Sequence, residues 1–451
     1  MTLRHLLPHI RDAAGIRRLL DDLDAGRPTL RAVDLPSAAR PAVIAALAHH
    51  RTSAAIVVTA RDDRADALCA AANEFFPVDR QAVVWPAPDG LPYEQLPFEL
   101  TVSTQRVALL DALLTRTEPA SVVFTSVRGL SHLVMPPHEL SEHRRELKID
   151  DRLDAPAFVR WATRLGYQVT PLVQEPGTIA RRGGIVDLFP PGAEQPVRID
   201  LFGDVIESIR TFNPSTQRSD RRLRSIILLP PSELPFWRLP EAAAAVAKLD
   251  LRRLRDEVRD EWGRMIDRME SGVTPPSVDL FAPYLLPEPA DLLDYLPVNG
   301  LLIVDEPDAV ALAGRQLEDH AVELVNAFVA NGELPPDLPR PYASPTDLAV
   351  HRTNRQVVDI GAVALERDVD VVELSDIVEA PAFAGRLARL TDEVGERLIH
   401  GWQVVLATDQ VDRLTEIFEE RDIFPRRDKR RDPGEPLPLT PGTLDVVASD
   451  Q

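Results

Sequence analysis

The sequence predicts an α/β protein: a parallel-sheet domain split by a small inserted α+β domain, followed by a second compact α/β domain. Three observations carry this expectation. Short apolar runs alternate with helical patterns from about Thr29 to Leu133, tight turns join strands between about Pro136 and Leu229, and an apolar strand returns at LLIVDEP, Leu301 to Pro307. A chain of 451 residues also exceeds what one hydrophobic core usually supports.

The elements follow in order. RAVDL, AAIVVTA, AVVWP and SVVFTSV read as strands, with helices at PAVIAALAHH, ADALCAAANEFF and STQRVALLDALL between them. Runs as apolar as AAIVVTA suit strands buried on both faces, the mark of a parallel sheet. Ser103 is the expected cap of the third helix, with Val107, Leu110 and Leu114 on one side. The expected boundaries are 1–135 for the first part of the parallel-sheet domain, 136–229 for the insertion and 230–332 for the return with a charged helical stretch. A linker with five prolines, 333–347, then leads to a C-terminal α/β domain of unassigned role, 348–451. In that last part the basic loop at 426–442 is expected to be a solvated excursion. The final strand TLDVVASDQ suggests a piece of a longer polypeptide.

Composition narrows the function classes. No apolar run approaches the roughly 20 residues of a membrane span, and the N-terminus reads as an amphipathic helix, so the expectation is cytoplasmic with no membrane partner. A formal charge of −20 argues against a broad phosphate-binding face, so little direct DNA binding is expected. The single cysteine, Cys69, excludes an internal disulfide and reads as a buried thiol, and the scattered histidines give no metal-binding spacing.

An α/β domain of this rhythm raises the question of a phosphate loop, in which backbone amides and a lysine after glycine hold the phosphates. No glycine here precedes a lysine. The turn where the loop belongs, DLPSAARPAVIAA, offers Ser37, Arg40 near the lysine position, and Pro41, which removes a backbone donor. The domain therefore reads as a degenerate P-loop, RecA-like domain with neither ATP nor magnesium expected. Asp305 and Glu306 end LLIVDEP in the form of a Walker B strand and are expected to serve structure.

Four stretches carry a family resemblance. APDGLPYEQLPFELTVSTQRVALLDALL (87–114), GYQVTPLVQEPGTIARRGGIVDLFP (166–190), the hairpin continuing to TFNPSTQRS (211–219), and PYLLPEPADLLDYLPVNGLLIVDEP (283–307) resemble the UvrB-like front end of the bacterial transcription-repair-coupling factors, the Mfd family. UvrB itself has an intact P-loop and a long aromatic hairpin. Tyr93 and Glu94 run too soon into the next helix to leave room for one. The resemblance implies a UvrA-docking insertion and a parent that continues into RNA-polymerase-binding and DNA-translocating parts, with ATP and magnesium needed there.

In VRIDLFGDVIESI, Gly203 and Asp204 suit a two-residue hairpin turn. Alternation then places Val197, Ile199 and Leu201 on a core face, and Arg198, Asp200 and Phe202 on the other. Phe beside Arg is what binding hot spots favour. The family resemblance matches Arg182, Arg198 and Phe202 to positions used against UvrA. The competing reading packs Phe202 on Val205 and pairs the arginines with Asp200 or Glu207. Gly183 and Gly184 read as backbone devices for a bulge or a close strand approach. The leading expectation is a protein-binding module that recruits UvrA for nucleotide excision repair. The alternative is a nucleotide-dependent DNA-processing enzyme with an unconventional phosphate site.

Overall fold

Strands form at the apolar runs of the N-terminal third: β1 (Thr29–Val33), β2 (Ala55–Thr59), β3 (Val83–Val84) and β4 (Val122–Ser126). The structure, a computed structural model, describes residues 3–51, 53–77, 80–115, 121–344, 355–362, 370–383, 385–426 and 436–448. Every residue of β2 and β4 is buried, because helices cover both faces of the sheet. Ile56 and Val58 face one core and Ala55 and Val57 the other, so the period of two along a strand divides the apolar side chains between two clusters. The helix Arg40–His50 is buried at each position from Val43 to Ala48. Cys69 is buried too, and burial, with a smaller effect from Asp66, pushes its thiol up to about 12, consistent with an inert packing role.

The inserted domain holds β5 (Arg145–Lys148), β6 (Gln168–Val169), β7 (Thr178–Arg182), β8 (Ile185–Leu188), β9 (Val197–Phe202), β10 (Val205–Phe212), β11 (Ser219–Leu223) and β12 (Ser225–Leu228). β5 pairs with β12, and the others form a six-stranded sheet in the order β11-β10-β9-β8-β7-β6, antiparallel except between β6 and β7. Its helix, Ala155–Leu165, is capped by Asp154, which accepts from the Ala157 amide at 3.0 Å, and ends at Gly166 with φ +113°. Phe158, Ala162 and Leu165 pack from that helix onto Ile179, Val186, Ile199 and Ile209.

After the insertion the charged stretch becomes two helices, Leu239–Val246 and Asp256–Glu270. The second buries Trp262, Met265, Ile266 and Met269 at helical spacing, with its charges on the other side. β13 (Leu301–Asp305) then enters the first sheet beside β2, followed by the helix Pro307–Ala330.

The sheet does not end there. The expected boundary at 332 places all residues from 348 in a separate domain, yet β14 (Gln356–Ala362) lies between β1 and β13, and β15 (Val371–Glu373) pairs with the outer edge of β1. The order is β15-β1-β14-β13-β2-β4-β3, parallel throughout. The short run QVVDIGA is drawn into the sheet because the gap between β1 and β13 needs a strand buried on both sides, and Val357, Val358 and Ile360 fill it. Only the part beyond forms a separate small unit, with helices Leu387–Ile399 and Val411–Glu419 and the parallel pair β16 (Val404–Thr408) and β17 (Leu444–Ala448) around Val394, Phe418 and Leu444. Most of the basic loop expected at 426–442, and the end of the proline-rich segment, lie outside the described residues. Among the described residues, no helix is long and apolar enough to cross a membrane.

A buried polar junction joins insertion to sheet domain. The helix Leu100–Thr115 starts three residues before the expected cap, so Ser103 sits inside it and its hydroxyl bonds Glu233 in the segment leaving β12. Arg106 Nη1 donates to Glu233 at 2.8 Å, and His132 Nε2 does so at 2.8 Å. Burial opposes the charge on Glu233, but Arg106, His132 and Ser103 outweigh it and hold the carboxyl at about 2. Glu233→Gln leaves Arg106 without its buried counter-charge and is expected to cost about 3 kcal/mol in urea unfolding at neutral pH. Because the folded value lies below the ordinary 4.5, the stabilisation from this group is complete above that value and is lost as pH falls from 4.5 towards 2. The gap between wild type and Glu233→Gln should narrow across that acid window, and a gap independent of pH would contradict the assignment.

Candidate functional site

Two places hold the residues singled out in the sequence. The first is the carboxyl edge of the parallel sheet, where α/β domains bind ligands. Beyond β1 the chain turns through Asp34, at φ +57°, into a short 3-10 turn, Ser37–Ala39, and then the helix Arg40–His50. In a phosphate cradle the amides at this helix start point at the ligand. Here the Ala39 amide donates to Pro36 O at 3.0 Å, the Arg40 amide donates to Ser37 O, and Pro41 has none to give.

The Arg40 guanidinium occupies the site itself. Its Nη1 lies 3.0 Å from Asp305 Oδ1 and 2.6 Å from Glu306 Oε1. Arg64, which the sequence reading missed, donates from Nε to Asp305 Oδ2 at 2.9 Å and reaches the Ser37 hydroxyl at 3.4 Å. Asp305 is 1% exposed, so this pair of cations satisfies a carboxylate that would otherwise be costly to bury. Gly361, at φ +69°, packs against the same guanidinium, and a Cβ there would come within 2.6 Å of it. The structure thus brings Ser37, Arg40, Asp305 and Glu306 together as an ion cluster, buried at Arg40 and Asp305 and open to solvent at Ser37 and Glu306. Among the described residues no group of three or more His, Cys, Asp or Glu is arranged to hold a metal.

The second place is the outer face of the inserted sheet. Alternation along β9 holds: Val197 and Ile199 are buried, Arg198 and Asp200 half-buried, and Phe202 is 80% exposed at the hairpin tip, beside the turn at Gly203 with φ +66°. Phe202 therefore does not bury itself on Val205, its partner across the hairpin. Arg182 ends β7 in the open and donates to Pro171 O.

Arg198 is different. It forms a two-pronged pair with Asp187 on β8, at 2.7 and 2.9 Å, donates to Gln217 O at 3.3 Å, and stacks on Phe212 at 4.8 Å. The bond to Asp187 raises the Arg198 pKa, so the guanidinium is committed inside the domain. The expected alternative partner, Asp200, instead takes bonds from Arg210 and from Ser208 at 2.6 Å. The partner of Arg198 was missed because it depends on strand register, which alternation does not specify: Asp187 stands directly opposite it across β8 and β9. Gly184 fits a close approach, since a Cβ would lie 3.1 Å from Leu201 O.

Comparison with known proteins names this second place. Residues 146–234, which include the six-stranded sheet, match the family described as the UvrB interaction domain. The transcription-repair-coupling factor of Bacillus subtilis is 27% identical over 271 residues, 58% of this chain and 23% of that protein. That of Myxococcus xanthus is 33% identical over 241 residues, 51% and 20%. That of Mycobacterium bovis is 31% identical over 302 residues, 65% and 24%. Over half or more of its length the chain is thus similar to the bacterial transcription-repair-coupling factors. Its match spans a fifth to a quarter of the length of these relatives. The stretch that matches the UvrB interaction domain holds the exposed aromatic, and the parallel-sheet domain holds the ion cluster.

The ion cluster is testable as structure. Arg40→Ala should lower stability by about 3 kcal/mol, because Asp305 stays buried and loses one of two cations. Asp305→Asn in the same background should recover part of that loss. A double-mutant cycle read by urea unfolding is expected to show coupling above about 1 kcal/mol, and strictly additive effects would show that the two residues do not depend on each other.

Proposed function

We propose that this chain is the partner-docking part of a protein that couples DNA repair to transcription. Its UvrB interaction domain recruits UvrA for nucleotide excision repair, and its parallel-sheet domain acts as scaffold without hydrolysing ATP. One observation carries the reading: Phe202 keeps four fifths of its ring in solvent at the tip of a hairpin, in the very stretch that matches a named interaction family. A large aromatic left in water gains most by burial in a partner's pocket. Arg182 stands nearby, its guanidinium bonded among the described residues to the Pro171 carbonyl. Arg198, tied to Asp187, acts in this reading mainly by holding the face in shape.

The scaffold half rests on chemistry. For a phosphate to enter, Arg40 would have to leave two carboxylates, and the amides that cradle phosphates elsewhere are already bonded. Asp305 is likewise held by two arginines where a magnesium ligand would need to be open. Engagement of RNA polymerase, DNA translocation and ATP hydrolysis are assigned in this reading to regions that the relatives carry outside the matched stretch.

Two measurements test the two halves. Calorimetry with purified UvrA should show Phe202→Ala weakening binding by about tenfold or more and Arg182→Ala by a smaller factor. Full affinity in Phe202→Ala would refute the assigned surface. Labelled ATP with magnesium should show no saturable binding, whereas micromolar binding abolished by Asp305→Ala would restore the enzyme reading.

A further inference from the structure

The docking reading leaves one charged feature of the inserted sheet unused. Arg198 on β9 stands directly opposite Arg210 on β10, and Arg210 stands directly opposite Arg222 on β11. Directly paired residues project from the same face of a sheet, so three arginines form one cross-strand row. Like charges placed opposite one another destabilise strand pairing. The row is neutralised unevenly. Arg198 has Asp187 as a two-pronged partner, and Arg210 has Asp200. Burial works against the Asp200 charge, yet the bonds from Arg210 and Ser208 hold its carboxyl below the ordinary range. Arg222 is exposed and has no carboxylate partner among the described residues. Glu207, also exposed, falls at the irregularity in β10 between Ile206 and Ser208, outside this row.

The row therefore ends, on an edge strand, in an unneutralised guanidinium within a chain of net charge −20. Its distance from Phe202 follows from sheet geometry. Four residues along β9 and two strands across amount to roughly 16 Å, inside one standard interface patch. We propose that the arginine row extends the docking surface, and that Arg222 pairs with a carboxylate on the same UvrA face that receives Phe202. This rests on the docking reading above. A protein carboxylate fits better than a nucleic-acid backbone, because duplex binding needs several free cations and this row supplies one beside two aspartates and an aromatic ring. A partner carboxylate at that place would also remove the cost of the unpaired like charge, so the strain in the free sheet becomes affinity in the complex.

The test uses the full chain and purified UvrA, with Phe202→Ala as reference. Arg222→Glu should weaken binding by about tenfold at low salt, with the loss shrinking as salt rises, and Arg222→Lys should stay within about twofold of wild type. Equal thermal midpoints in all variants exclude misfolding as the cause. Wild-type affinity in Arg222→Glu, with Phe202→Ala still impaired, overturns the extension and leaves the docking reading standing. Wild-type affinity in both variants overturns the docking reading itself. Unchanged UvrA binding together with loss of duplex DNA retention in Arg222→Glu would overturn the proposal in favour of a phosphate contact.

Discussion

The fold depends on a parallel sheet whose central strands arrive late. β14 and β13 occupy the middle of the order, between β1 and β2, yet β13 begins at Leu301 and β14 at Gln356. Without those strands β1 has no partner that joins it to β2, and the cluster under the helix Arg40–His50 lacks Leu301, Ile303, Val358 and Ile360. Such long-range pairing must meet its chain-closure cost before its contacts contribute. The inserted domain, whose sheet pairs mostly neighbouring strands, has no comparable requirement. A locally folding insertion inside a slowly closing sheet needs a fixed attachment, and the buried Glu233 with Arg106, His132 and Ser103 supplies it. It ties the segment leaving the insertion to the helix behind the sheet.

The same constraint explains the ion cluster. Asp305 ends β13 and Glu306 follows it, so the late strand brings two carboxylates to the carboxyl edge of the sheet. Arg40, at the start of the helix after β1, meets them there. In a nucleotide-binding domain a bound cation and phosphates would balance those charges. Here the balance is made within the chain, and it links β13 to the β1 helix across 265 residues. The same charge arrangement helps hold a discontinuous domain together.

Legibility in the sequence followed the range of the interactions involved. β2, β4 and β13 were readable because their apolar runs are set by burial on both faces, a property each segment shows by itself. β14 was not, because its run follows a proline-rich stretch and its place depends on a gap between β13 and the far earlier β1. The alternation of β9, which puts Phe202 on the face away from the core, was readable from period alone, whereas the choice between an open ring and one packed on Val205 was not. The commitments of Arg198 to Asp187, of Ser103 to Glu233 and of Arg64 to Asp305 were not, since each depends on register or on packing between distant elements. Arg40 was visible as a lysine-site substitution. Its occupation of the site required the late strand to be in place.

These commitments change how the outer face of the insertion is understood. A count of arginines near Phe202 suggests a generally basic surface, but pairing removes most of that charge: Arg198 and Arg210 each have an aspartate within the sheet. Among the described residues, Arg182 at the end of β7 and Arg222 on the edge strand stand on this face without a carboxylate, with the aromatic at the hairpin tip. Such a surface is suited to one shaped protein partner, because a few separated charges fix orientation while the buried ring supplies affinity. It is poorly suited to a polyanion, which rewards density of charge over position. In a chain of net charge −20, the docking proposed above has to draw on such local placement, since the long-range field repels an acidic partner. In that proposal the paired arginines act indirectly, by holding the strands in the register that separates Arg182 from Arg222.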